Sequence, residues 1–190
     1  VDMQNDFCRS DGALGKAGKD TSASLAMIPA LQTFIEAARS AGAPVIWIQT
    51  IHTGETDSEA WTWRLDGAAA TVCREGTWGA EFTTLAPLPD EPVVVKHRYN
   101  AFINTRLDSV LRTLGIENLI FTGVATNVCV ESSARHGYML DYHVVFLSDC
   151  TAAFSREEHD GALYNIKTHF GVVATSNDVV AAWKSALVPG

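Results

Sequence analysis

Five short blocks of the chain are almost solidly apolar and rich in β-branched residues. They are Val45-Ile46-Trp47-Ile48, Val93-Val94-Val95, Leu119-Ile120-Phe121, His143-Val144-Val145-Phe146-Leu147 and Gly171-Val172-Val173-Ala174. A strand with one wet face alternates apolar and polar residues, whereas a strand packed on both faces reads as an unbroken block. Helical patterns precede, separate and follow the blocks. Leu31, Phe34, Ile35 and Ala38 recur at helical spacing between Pro29 and Gly42, a first-turn proline and a terminal glycine. Leu107, Val110, Leu111 and Leu114 repeat the pattern behind a Thr105/Asp108 capping-box-like pair and ahead of Gly115. A further helix is predicted behind Ser155, with Glu158 three residues on, and a last one near the C-terminus. Strand-helix alternation of this kind predicts an α/β fold: three layers, a mostly parallel doubly wound sheet, and helices on both faces. We expect one domain over residues 1–190, large enough to fold without disulfides, with part of the first strand lying before Val1. The stretch from Thr50 to Pro92 has no clear period and is longer than most connections, so it reads as a lid or as short elements that the pattern does not resolve.

In an open parallel sheet, ligands sit at the carboxyl ends of the strands. The residues just past the blocks are Asp2, Thr50 to His52, Lys96, Ala125 to Cys129 and Asp149. Cys129 follows a strand and a glycine-containing turn, where a helix begins. A thiol there meets the positive end of the helix dipole, which favours the thiolate, and unpaired N–H groups that can hold an oxyanion. Asp2 can serve such a thiol as general base, and Lys96 closes the second block at the same edge. Taken singly, each has a plain structural alternative: a buried core cysteine, a turn aspartate, a snorkelling lysine. Their convergence on one sheet edge points to a site.

The chain carries 14 Lys+Arg and 22 Asp+Glu, a formal charge of −8, which argues against nucleic acid or an anionic membrane as partner. No apolar run reaches the ~18 residues of a membrane span. Cys8, Cys73, Cys129 and Cys150 show neither metal nor disulfide spacing and read as separate thiols of a reducing compartment, with a cytoplasmic location expected. The six histidines lack ligand spacing, and no phosphate-loop, dinucleotide or serine-elbow motif is present. No cofactor and no catalytic metal are expected. Cys129 and Arg135 match the Cys-x5-Arg spacing of phosphatase loops, but the intervening residues contain no glycine and place Glu131 where a phosphate would lie.

Three strings together resemble the signature segments of the isochorismatase-like cysteine hydrolases: Val1-Asp2-Met3-Gln4-Asn5-Asp6-Phe7, Val95-Lys96-His97-Arg98-Tyr99-Asn100-Ala101-Phe102 and Gly123-Val124-Ala125-Thr126-Asn127-Val128-Cys129-Val130-Glu131-Ser132. The resemblance implies a catalytic triad of Asp2, Lys96 and Cys129, an oxyanion hole from the N–H groups of Ala125 and Cys129, and a cis peptide between Val124 and Ala125. It implies cysteine-dependent hydrolysis of a C–N bond in a small amide, ureido or carbamoyl compound through a thioester, and a homodimer or homotetramer. The true isochorismatases lack this nucleophile and Cys129 is present here, which favours C–N hydrolysis and leaves isochorismatase-type vinyl-ether hydrolysis as the alternative enzyme reading. A catalytically silent small-molecule-binding homologue is the non-enzyme one. Nicotinamidases carry a metal-binding Asp-x-His after the second strand where this chain has Gln49-Thr50-Ile51-His52. The third segment is similar in wording to that of ureidoacrylate amidohydrolases, whereas the stretch after the second strand departs from their Gln-Asn-Gly-Trp. Candidate substrate contacts are His52, Trp78, Arg98 and Tyr99. An anionic substrate would need a locally positive pocket mouth, expected from Lys96, Arg98 or their neighbours.

Overall fold

The computed structural model describes residues 1–63 and 70–186; residues 64–69, within the stretch of unclear period, and 187–190 lie outside the described set. In chain order the elements are α1 (Asn5–Cys8), α2 (Ala13–Lys16), α3 (Ser22–Ala26), α4 (Ile28–Ser40), β1 (Trp47–Thr50), α5 (Glu59–Trp63), β2 (Val93–Lys96), α6 (Leu107–Thr113), β3 (Asn118–Val124), α7 (Glu131–Met139), β4 (His143–Ala152), α8 (Arg156–Asn165), β5 (Val172–Ala174) and α9 (Ser176–Ala186). All pairings between these strands are parallel: β1 with β2, and β3, β4 and β5 in that order. Val1 and Asp2 tie the two groups together. The Asp2 N–H donates to Ile48 O at 2.9 Å and the Val124 N–H to Val1 O at 3.0 Å.

The solid blocks are explained by packing on both faces. Ile48, Leu119, Phe121, Val144 and Phe146 point into one core beside α6 and α7, while their neighbours Trp47, Ile120, Val145 and Leu147 join the other, with Leu31 and Phe34 of α4 and Trp183 of α9. Successive side chains of a strand face opposite ways, so each block feeds both cores. α4 ends in a Schellman motif: Gly42 has φ +73°, and the N–H groups of Gly42 and Ala43 reach Arg39 O and Ala38 O, a close for which glycine is favoured. Gly115 closes α6 in the same way, with φ +66° and Ile116 N–H on Leu111 O.

Thr105 and Asp108 do not form the expected reciprocal box. Thr105 Oγ1 accepts from Leu107 N–H at 3.1 Å, whereas Asp108 turns to Arg112 and the Tyr142 hydroxyl. Ser155 does cap α8 by accepting from Glu158 N–H at 3.2 Å. The stretch after β1 is anchored rather than loose: His52 N–H donates to Cys73 O, and Glu75 N–H to His52 O.

Candidate active site

Parallel register sets the site's first contact. Thr50 and Lys96, the last residues of β1 and β2, are direct partners, and the Lys96 ammonium donates to Thr50 Oγ1 at 2.7 Å. Thr50 in turn donates to Asp2 Oδ1 at 3.0 Å. Lys96 also donates to Arg98 O at 3.0 Å and to Cys129 Sγ at 3.5 Å. Those three acceptors account for the three protons of an ammonium, so the 2.8 Å approach of Lys96 Nζ to Asp2 Oδ2 acts as an ion pair. Oδ2 is buried and accepts no directed hydrogen bond. Asp2, Lys96 and Cys129 are no more than 5% exposed.

Burial opposes the charge on Lys96, but Asp2 and Cys129 outweigh it and hold the ammonium above the ordinary lysine range. The Cys129 thiol goes the other way from the simple helix-dipole expectation: burial pushes it up, Lys96 pulls against the rise, and Asp2 adds to it. Cys8 and Cys150 are each pushed up to about 12 by burial, and Cys73 is raised for the same reason. Among the described residues, Cys129 is the one cysteine that receives a hydrogen bond from a cation.

Cys129 lies in a π-helical turn, Thr126–Val130, that runs into α7. The turn leaves β3 through Gly123, with φ +105°, and the Val124–Ala125 peptide is cis. A Cβ at Gly123 would lie 2.1 Å from Val1 O. Polar side chains stitch the three segments around this turn. Gln4 donates to Thr50 O and Ala80 O and accepts from Thr50 N–H. Ser133 Oγ donates to Cys129 O at 2.7 Å and accepts from Ala101 N–H. Asp6 accepts from the N–H groups of Ala13 and Cys73.

Three rings meet beside the Lys96 edge. His52 lies 5.1 Å from Trp61 and Trp61 lies 4.9 Å from Tyr99, centroid to centroid. The Arg98 guanidinium covers the Trp61 ring at 5.0 Å and donates to Thr56 O, His97 O and Ser58 Oγ. His52 is held at a pKa of about 4, first by burial and then by Lys96, so its ring is neutral at pH 7. His52, Arg98 and Tyr99, three of the expected substrate contacts, thus lie together, and Trp61 joins them. Nothing in its sequence context marks Trp61, because the stretch around it has no period. Trp78 stands elsewhere, 45% exposed under the Arg9 guanidinium. Asp149 accepts from the Ser176 N–H and hydroxyl and so anchors the start of α9. No group of three or more His, Cys, Asp or Glu side chains suited to a metal ion occurs among the described residues, and none of their helices is long and apolar enough to cross a membrane.

The chain belongs to the isochorismatase domain family, whose model it matches over residues 1–178. It is 41% identical to the ureidoacrylate amidohydrolase RutB of Stutzerimonas stutzeri, over 92% of this chain and 77% of that protein. A cysteine hydrolase from Pseudomonas syringae pv. phaseolicola superposes with a TM-score of 0.87 at 30% identity, over 98% of this chain and 91% of the other. The N-carbamoylsarcosine amidase of Thermoplasma acidophilum does so with a TM-score of 0.77 at 25% identity, over 93% and 94%.

Proposed function

We propose that this protein is a cysteine amidohydrolase that cleaves a C–N bond of a small amide, ureido or carbamoyl compound, with Asp2, Lys96 and Cys129 as its triad. The observation that carries the reading is the buried lysine that touches both the carboxylate and the sulfur, 2.8 Å and 3.5 Å away. Asp2 Oδ2, free of directed hydrogen bonds, takes the thiol proton as Sγ attacks the carbonyl carbon. Lys96 offsets the negative charge that passes from one atom to the other. The oxyanion is held by the N–H groups of Ala125 and Cys129, on either side of the turn. Collapse of the tetrahedral adduct breaks the C–N bond. Asp2 returns its proton to the departing amine and leaves a thioester on Cys129, and water deprotonated by Asp2 then releases the acid and the thiol.

A thiol beside a buried ammonium suits acyl transfer better than vinyl-ether hydrolysis, and the amidohydrolase and amidase relatives support the C–N bond as target. The test is release of ammonia or amine from a panel of ureido acids, biuret and primary amides. Turnover is expected for at least one member and is expected to disappear in Cys129→Ser and Asp2→Asn. No turnover across the panel, or turnover that survives Cys129→Ser, contradicts the proposal.

A further inference from the structure

Thr126 follows Ala125 at the start of the turn that carries Cys129, and its side chain is fully buried. Its hydroxyl lies 3.0 Å from Nδ1 of His159, on α8 and 33 residues further along the chain. The backbone bonds of the turn stay within the segment itself: the Val128 and Val130 N–H groups donate to Ala125 O, and the Glu131 N–H to Thr126 O. The contact with His159 differs in kind, because it ties the turn to a separate helix that packs on it.

The surroundings of the ring set the direction of that bond. Burial holds the His159 pKa below the ordinary histidine value, Arg156 acting with it and Asp160 against it, so the ring is neutral at pH 7 and one of its nitrogens can only accept. The ring also hydrogen-bonds the backbone of Ser148 in the sense that favours protonation, which is a ring N–H donating to the carbonyl oxygen. With Nδ1 facing Thr126, that N–H is on Nε2, and Nδ1 accepts from the Thr126 hydroxyl. Ser148 lies where the pairing of β4 with β3 is interrupted, between Phe121 on Phe146 and Gly123 on Thr151. One imidazole thus joins the irregular part of β4 to the turn after β3. Among the described residues, neither the Thr126 nor the His159 side chain hydrogen-bonds Asp2, Lys96 or the Cys129 sulfur.

We infer that His159 is a positioning residue for the proposed hydrolysis: through the Thr126 hydroxyl it fixes the turn so that the Ala125 and Cys129 N–H groups meet the oxyanion. The inference rests on the hydrolase reading above and adds α8 to the elements that serve the site. In it, the pair supports the tetrahedral step and leaves the reactivity of the nucleophile to Lys96 and Asp2.

Alkylation of a thiol by iodoacetamide displaces iodide at a methylene carbon and builds no charge on a carbonyl oxygen, whereas amide hydrolysis must hold that charge. The two reactions, run on the full chain, therefore separate the turn from the nucleophile. Thr126→Val removes the hydroxyl and keeps the shape. His159→Phe removes the acceptor, and the ring borders a cavity of ≈ 250 Å³ that leaves it room. Each is expected to lower kcat on a turned-over member of the amide panel about 10- to 50-fold with KM within about twofold, less than the roughly 10²–10³-fold of deleting an oxyanion donor itself. The double variant is expected to lose no more than the worse single one, since both remove the same bond. The rate of Cys129 alkylation, followed by peptide mass spectrometry, is expected to stay at the wild-type value throughout. Thr126→Ser, and His159→Asn with an acceptor near the place of Nδ1, are expected to recover most of kcat. Unchanged kcat in both single variants, losses that multiply in the double one, or alkylation that falls in step with kcat makes the pair a packing contact and overturns the inference alone. A wild-type chain that turns over no member of the panel removes the hydrolase reading, and the inference with it.

Discussion

Thr50 carries one hydroxyl, and it serves two members of the proposed triad at once by accepting from Lys96 and donating to Asp2. Thr50→Val keeps the shape of the side chain and leaves a Lys96 proton and Asp2 Oδ1 buried without partners. A loss of about 10- to 100-fold in kcat/KM is expected, the size of one or two charged hydrogen bonds. Thr50→Ser should restore most of it, and steady-state kinetics of the two variants checks both. Unchanged kinetics in Thr50→Val would remove Thr50 from the site. At this scale the sequence exposes chemistry better than it exposes partnership. Lys96 and Cys129 stand out because they come after apolar blocks, and Asp2 because it lies in the first of the three signature-like segments. The task of Thr50 depends on register, which places β1 and β2 side by side and which no local pattern reveals. The raised thiol of Cys129 is invisible for a similar reason: a helix start can be read from sequence, but the desolvation that outweighs its dipole comes from segments far apart in the chain.

Between elements, α4 is clamped to the β1 edge through Glu91. Its carboxylate accepts two bonds from Arg39, at 2.7 and 2.9 Å, and one each from the Trp47 indole and Leu88 N–H. Chiefly through Arg39, its pKa falls from 4.5 to about 2. A carboxylate whose folded-state pKa is depressed contributes stability that is fully present above the unfolded value and is lost as pH falls through the folded one. Chemical denaturation should therefore show this contribution above pH 4.5 and its decline towards pH 2. Glu91→Gln should cost about 1–3 kcal/mol at pH 7 and flatten that part of the profile; an unaltered acid limb would show that the clamp is inert. The turn after β3 offers a second check. Gly123→Ala places a Cβ against Val1 O at a φ that L residues rarely adopt, so a loss of more than 2 kcal/mol is expected in thermal melts. Element positions were largely legible, but their ends were less so. β4 runs on to Ala152, past the visible block, because Thr151 and Ala152 pair with Gly123 and Val124 after a register shift. Ser148 and Asp149 interrupt the apolar pattern there without ending the strand.

Over the whole molecule, two cores lie on either side of the strands, and the solid strand blocks revealed that arrangement because neighbouring side chains pack into opposite cores, with Val95 and Val172 the exposed exceptions. Phe146, fully buried in the middle of β4, is where truncation should be felt most widely. Phe146→Ala is expected to cost about 3–5 kcal/mol of stability without altering the pH dependence of any remaining turnover. The stretch between β1 and β2 was the least legible part of the molecule. Several of its described residues are held from outside the stretch, by Gln4, by Asp6 and by Arg98, ties that leave no local period. The proposed chemistry centres on the Cys129 sulfur, which receives a hydrogen bond from Lys96, and that chemistry is the most direct test of the account. Rapidly quenched reactions with a turned-over amide or ureido acid, digested and weighed by mass spectrometry, should show the peptide containing Cys129 carrying the substrate's acyl group with the amine lost. The adduct should be absent from Cys129→Ser and should accumulate when water attack is slowed at low temperature. Steady turnover with no such adduct, together with undiminished activity in Cys129→Ser, would contradict the account.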